Sequence, residues 1–333
     1  MSDPIVISGM SDIGRPPCPA DGGFAHLPFD HRRDLGKKGT RNMDRLTALA
    51  ISGMADLMPA LGVDRETPHD GIGIVLGSAQ GSMDSIVRFT YETLAHDRPD
   101  FVNPALFPNT VMNCAAGQAA IWYRLRGLNA TISCHETSFL SALEYSCLQL
   151  QRGVVRTLVT GSTEELTEVS EAGHRSVARS TNRPARHAEF SMFVALETEG
   201  EARRKGRPVL AELRAVMTGF NCDPGNSAPL SGLIARALAR ADVDHAAVTQ
   251  AVTAGTSPEQ RAAELEAMRD SIGTDLRVQV TWDSYGNAGS AHNALQLSQL
   301  MECLPPGETG LLVAQERCGN MAVLVITRKE HQA

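Results

Sequence analysis

The chain has no Cys-x-x-Cys pair, no apolar run long enough to cross a bilayer and no surplus of positive charge. Each absence removes a class of function. Seven cysteines stand at 18, 114, 134, 147, 222, 303 and 318. Without close pairing they suggest neither a structural zinc site nor a dithiol redox motif, and most read as reduced, buried small hydrophobes. A formal net charge of −7 argues against a nucleic-acid partner and a polybasic membrane contact. With no spanning segment, and no basic stretch followed by an apolar one at the start, no membrane partner is expected and the cytoplasm is the expected compartment. What is present is ordinary for a globular protein: 333 residues, 42% hydrophobic and 21% charged, enough for one large domain or two medium ones.

The stretch that organises the chain is Gly127–Gly153, GLNATISCHETSFLSALEYSCLQLQRG. Asn129–Ser133 reads as a buried strand, Cys134-His135-Glu136 as a polar corner, and Thr137 and Ser138 as caps of the amphipathic helix that follows. Such a corner aims one residue at a pocket beside the free N–H groups of a helix start. Before it, strands are expected at Pro4–Gly9 and Gly71–Leu76, and helices at Arg41–Leu61, up to Ala95 and over Thr110–Leu125. After it come strands at Arg156–Thr160 and Glu189–Leu196, separated by a polar surface excursion over Ser170–Arg186. Residues 198–208, TEGEARRKGRP, read as a charged connector. The rhythm then repeats, with strands at Val209–Val216, Ala247–Thr253 and Leu276–Thr281, helices at Leu230–Ala241, Pro258–Ser271 and Gly289–Leu304, and two closing strands, Gly310–Ala314 and Met321–Ile326. Two successive sets of alternating strands and helices predict an α/β protein with helices on both sheet faces, divided into residues 1–200 and 207–333.

Several segments in order resemble the β-ketoacyl synthases of the thiolase superfamily: RNMDR (Arg41–Arg45), Val102–Asn129, the corner itself, AVTAGTSPEQRAAELEAM (Ala251–Met268), DSYGNAGSAHNAL (Asp283–Leu295) and ERCGNMAVLV (Glu316–Val325). The resemblance implies a thiolase-like layered αβαβα fold built from two similar halves. It also implies a catalytic Cys-His-His set, with a thiolate that takes the acyl chain and two imidazoles that assist decarboxylation and stabilise the oxyanion. On matching positions this chain carries Glu136, Ala254 and Asn287 instead, Trp282 in place of the lysine, and Glu316-Arg317-Cys318-Gly319 in place of the Gly-Phe-Gly-Gly turn.

Losing all three groups leaves two expectations. One is a non-condensing subunit similar to the chain length factors of type II polyketide synthases, paired with an active ketosynthase and an acyl carrier protein in polyketide, polyene or fatty-acid-like biosynthesis, with a homodimer as the variant arrangement. Ala130, Thr131, Ile132 and Ser133 would then form the pairing strand. Val111, Met112, Cys114, Gln118 and Trp122 would line the acyl tunnel or simply pack in the core. The other is a repurposed enzyme using Glu136, with His135 and Asn287, as acid or base in isomerisation, dehydration, cyclisation or hydrolysis of a carrier-bound acyl chain. Neither calls for a cofactor or a metal. Cys134 lies too early to hold the corner, and His292 reads as a packed helix histidine.

Overall fold

The computed structural model describes residues 3–16, 23–95, 97–98, 100–181 and 184–330, so Cys18 lies outside the described residues. Ten strands form the main sheet: β1 (Ile5–Asp12), β2 (Ile72–Gly77), β3 (Asn129–Ile132), β4 (Thr157–Glu164), β5 (Phe190–Thr198), β6 (Ala211–Phe220), β7 (Val248–Thr253), β8 (Arg277–Val280), β9 (Thr309–Gln315) and β10 (Asn320–Arg328). Their order is β8-β7-β9-β10-β6-β1-β5-β4-β2-β3. The first five and the last five therefore share one topology. In each set the third, second and fourth strands run parallel, and the fourth, fifth and first run antiparallel. The sets join through a short antiparallel seam, Val6 opposite Glu212 and Ile7 opposite Ala211.

The helices sort into layers by what they bury. α1 (Arg45–Gly53), α2 (Met83–Ala95) and α3 (Cys114–Trp122) belong to the first half, and α1 and α3 cover its outer sheet face with Leu46, Ile51, Ala116 and Ala119. The small residues of α3 give the helix almost no bulk where it meets α1 and β2. α4 (Ser138–Gln151) follows β3, and α5 (Glu168–Thr181) follows β4. In the second half, α6 (Ala228–Ala241) and α7 (Pro258–Ile272) cover the other outer face, α6 with Leu230, Leu233, Ile234, Ala237 and Leu238 at helical spacing. α4 and α8 (His292–Cys303) touch strands of both halves and form the middle layer. Burial along α8 is nearly continuous from His292 to Leu300, as expected for a helix enclosed on all sides. This five-layer arrangement is the α/β layering expected from the sequence.

Two segments differ from expectation. The polar stretch after β4 is helical: α5 carries Glu168 and Glu171 in its first turn and Arg179 in its last, charges that suit the helix dipole. The connector contains a short helix, Glu199–Arg204, capped by Thr198 and braced by Glu199–Arg203 and Glu201–Arg204 pairs. Among the described residues no helix is long and apolar enough to cross a membrane.

Candidate active site

Where β3 ends, the chain turns tightly. Thr137 N–H donates to the Cys134 carbonyl at 3.2 Å and Ser138 N–H to the His135 carbonyl at 3.3 Å. The two hydroxyls expected as helix caps lock this turn instead. Thr137 Oγ1 donates to the Cys134 carbonyl at 2.8 Å; Ser138 Oγ accepts from Cys134 N–H at 3.0 Å and donates to the His135 carbonyl at 2.5 Å. His135 is held at φ 54°, a region that side chains with a Cβ enter rarely. Gly77 on β2 lets the start of α4 pack close, since a Cβ there would lie 2.9 Å from the Ser138 carbonyl carbon.

His135 and Glu136 line a cavity of about 1110 Å³, whose wall includes Glu164 and Glu165 at the end of β4 and whose roof includes Val177, Ala178 and Thr181 of α5. Opposite Glu136 stands Asn287. Its Nδ2 donates to Glu136 Oε1 at 2.6 Å, and its Oδ1 accepts from Gly289 N–H at 2.8 Å. The Asn287 backbone is clipped on both sides, donating to the Arg186 carbonyl at 2.8 Å and accepting from Ala188 N–H at 2.9 Å. Gly286, at φ 72°, permits this approach; a Cβ would lie 2.8 Å from the Arg186 carbonyl oxygen. Burial pushes the Glu136 carboxyl above its ordinary range, and the nearby Glu316 charge adds to this; the Asn287 hydrogen bond and His135 act the other way.

Glu316 crosses from the β9–β10 turn to the start of α4, where its Oε1 accepts from Thr137 N–H at 2.5 Å. Its Oε2 accepts from the Cys318 thiol at 2.8 Å and from Asn320 Nδ2 at 3.2 Å. An N–H of the helix start, available in principle to a ligand, is thus held by the protein's own carboxylate. Behind the corner, Glu264 of α7 accepts from Thr253 Oγ1, from Gly255 N–H at 3.0 Å and from Gln315 N–H at 2.9 Å, tying the ends of β7 and β9 together. Burial raises its carboxyl to about 7.

The sequence pattern described as "Beta-ketoacyl synthase, N-terminal domain" matches residues 17–193, more than half of the chain. The chain belongs to the β-ketoacyl synthase family. It is 23% identical over 312 residues to a 3-oxoacyl-[acyl-carrier-protein] synthase 2 of Vibrio harveyi, covering 84% of this chain and 74% of that protein. A Staphylococcus aureus protein of the same description is 29% identical over 203 residues, 56% of this chain and 50% of its own length. Among solved structures, the ishigamide ketosynthase/chain length factor superposes with a TM-score of 0.86 at 28% identity, covering 98% of this chain and 100% of that one. A β-ketoacyl synthase from Burkholderia phymatum superposes at 0.81 and 18% identity over 98% of this chain and 100% of its own, a likeness of fold.

Of the three positions that the sequence resemblance sets against a catalytic cysteine and two histidines, Glu136, Ala254 and Asn287, the structure brings Glu136 and Asn287 into contact. Ala254 is buried in the central core, and its carbonyl accepts from Trp282 N–H at 3.3 Å. Trp282, which the resemblance sets against the family's lysine, lines the cavity under the Arg186 guanidinium, 4.7 Å from the ring centre. Cys134 is half-buried and does not line the cavity. His292 packs as expected: its Nε2 faces the Ala254 carbonyl at 3.3 Å, its Nδ1 accepts from Ala288 N–H at 3.4 Å, and burial lowers it to about 4, leaving it neutral.

None of Val111, Met112, Cys114, Gln118 and Trp122 lines this cavity. Val111 and Gln118 are exposed, Met112 and Cys114 half-buried, and Trp122 lies under the Arg65 guanidinium at 3.6 Å. Ala130, Thr131 and Ile132 form β3, which pairs with β2 on one side and has no partner strand on the other among the described residues; Ser133 is exposed just beyond. Sequence reading missed Glu164, Glu165 and Glu264. The adjacent glutamates after RTLVTGST are the signal that was available, because charge at the end of a buried strand marks a cavity wall.

Proposed function

We propose that this chain is a non-condensing, chain-length-factor-like member of the family, which pairs with an active ketosynthase and helps to enclose the growing acyl chain delivered by an acyl carrier protein. The observation that carries the reading is the Glu136–Asn287 pair at 2.6 Å. The nucleophile corner and its facing position hold a carboxyl and an amide, which bind each other and form no thioester. The similarity to the ishigamide ketosynthase/chain length factor supports the same reading. A type II polyketide synthase ketosynthase solved with its acyl carrier protein superposes with a TM-score of 0.79 at 15% identity, so it supports the fold alone.

The pairing face is β3 with the apolar surface flanking it. Tyr91 (69% exposed) and Leu94 (80%) on α2, Phe101, Phe107 and Val111, and Ile121 (72%) on α3 are large apolar side chains left open. An unpaired strand beside exposed apolar groups is suited to continuing a sheet into a second subunit. Purified alone, the chain neither elongates an acyl chain nor becomes acylated; mixed with a Cys-His-His ketosynthase from the same pathway, it forms a heterodimer that elongates. Mass spectrometry of the chain after incubation with acyl-carrier substrate decides the first part, and an acyl adduct on it sinks the reading. Ile121→Lys leaves the chain folded and abolishes heterodimer formation in size-exclusion chromatography.

One observation favours the acid/base reading: Glu136 faces a large cavity with its carboxyl raised by burial. Glu136→Gln separates the two. On the non-condensing reading, product formation by the reconstituted pair is retained, because glutamine keeps the shape and still accepts from Asn287. A fall on the order of a hundredfold, the scale of a lost general acid, assigns Glu136 a proton-transfer role instead.

A further inference from the structure

The cavity is lined by a group of donors, His135, Glu316 and Cys318, of which the readings above use His135 alone. His135 Nδ1, a Glu316 carboxylate oxygen and Cys318 Sγ all lie within 4.8 Å of one another. We propose that His135, Glu316 and Cys318 form a binding site for a divalent cation of the zinc type, with its open coordination position turned toward the cavity.

The donor set selects the ion. An imidazole nitrogen, a thiolate sulfur and one carboxylate oxygen are what zinc takes with three protein ligands and a fourth position left for water or substrate. Calcium and magnesium prefer shells of oxygen and find one such donor here. The spacing is close to what the ion requires. Bonds of about 2.0 Å to nitrogen and oxygen and about 2.3 Å to sulfur set neighbouring ligands of a tetrahedron roughly 3.3–3.5 Å apart. His135 Nδ1 and Glu316 Oε2 are 3.6 Å apart. Glu316 Oε2 and Cys318 Sγ are 2.8 Å apart because the thiol donates to the carboxylate. Binding replaces that S–H bond with a metal–sulfur bond and releases one proton to solvent, and the pair opens by less than about 1 Å.

The surroundings supply the other features of a metal site. Glu316 is buried and is oriented by Thr137 N–H on one oxygen and Asn320 Nδ2 on the other, the outer contacts that fix a ligand's direction. His135 is exposed and held at φ 54° by the locked turn, which places its ring on the Glu316 side. No lysine or arginine is ion-paired to Glu136 or Glu316 among the described residues; the ion-pair partner of Glu316 is His135, at 3.6 Å. A divalent cation supplies the missing positive charge. All three donors line the cavity that Glu136 also lines.

The test uses the full chain stripped with a chelator and then titrated with Zn2+ and Co2+. We expect one equivalent bound per chain, and a Co2+ adduct with a thiolate-to-metal charge-transfer band. Cys318→Ala abolishes the band. His135→Gly, which suits the left-handed backbone, weakens binding by at least about tenfold, the loss that even an outer-shell partner causes. Both residues are exposed, and far-ultraviolet circular dichroism confirms that the variants fold. A Co2+ adduct without the band, or binding unchanged by both substitutions, overturns the site.

Discussion

Arg45→Met lowers the free energy of unfolding by about 3–5 kcal/mol, the cost of stranding a buried charge. The charge is Glu189, whose side chain is fully buried. Arg45 grips it with both arms of the guanidinium, Nε to Oε1 at 2.7 Å and Nη2 to Oε2 at 2.6 Å. The remaining lone pairs take Leu27 N–H at 2.9 Å and Leu166 N–H at 3.0 Å. Arg45 also donates to the carbonyls of Phe29 and Leu27, each at 3.0 Å. The pair therefore pins three separate stretches, around Leu27, Leu166 and Glu189, to the first turn of α1. Lysine cannot replace this forked geometry. Methionine keeps the apolar stem and leaves the carboxylate without its cation. The double variant Arg45→Met/Glu189→Leu recovers a large part of the loss, since removing both charges avoids the desolvation cost. Urea unfolding midpoints measure both. A single-variant loss under about 1 kcal/mol, as for an exposed pair, would contradict this account.

Glu165→Gln has the opposite sign and depends on pH. Glu165 is buried in the cavity wall, where neither carboxylate oxygen has a partner at full hydrogen-bonding geometry among the described residues; the nearby Asp84 N–H offsets its burial only in part. Burial pushes its carboxyl up to about 8, with the charges of Asp44, Asp84 and Glu164 adding to the effect. The unfolded chain ionises this group near the ordinary value of 4.5. Below that pH both states carry the proton and titration of the residue contributes nothing to stability. As pH rises toward about 8, the unfolded state releases its proton while the folded state keeps it, and stability falls by about 1.4 kcal/mol per unit of pKa difference. Glutamine removes this loss. The variant is expected to match the parent at about pH 4 and to exceed it by a few kcal/mol at about pH 8, read from urea midpoints across the range. Glu264, raised to about 7, imposes the same downward slope on both proteins over its own narrower window. A parent protein equally stable at both ends of the range would refute the assignment.

The sequence carried the fold well because the strands are either buried runs or bounded by turns, and because each half repeats the same alternation. It failed at α5, whose mean composition is polar and whose apolar face is made of small or β-branched residues, Val169, Ala172, Gly173 and Val177, too slight to stand out among the charges; only Ser170 is buried. The corner was legible as a unit, since strand, polar break and helix are adjacent in the chain. Its partners were not equally visible. Asn287 could be aligned to Glu136 through the family motifs, but Glu316 reaches Thr137 N–H from 179 residues away, and no local pattern announces that contact. The role of the RNMDR segment was also hidden. Asp44 caps α1 by accepting from Thr47 N–H at 2.8 Å, while Arg45 finds a glutamate 144 residues on.

Because the two halves share one strand order, Glu136 and Asn287 occupy equivalent places: each precedes the middle-layer helix of its own half, and they meet near an approximate twofold axis within a single chain. The connections that follow are equivalent too, but unequal. Between β4 and β5 the chain spends residues 165–189 and builds α5 over the cavity; between β9 and β10 it spends residues 316–319. The approximate symmetry holds in the sheets and is broken in these two links. One has become a roof and the other has stayed a tight hairpin. The cavity is consequently bounded unequally, by a helix on the roof side and by a short turn on the other, where His135, Arg317 and Cys318 stand exposed. Its size is set by the length of the roof link, independently of both sheets and of the open sheet edge at β3.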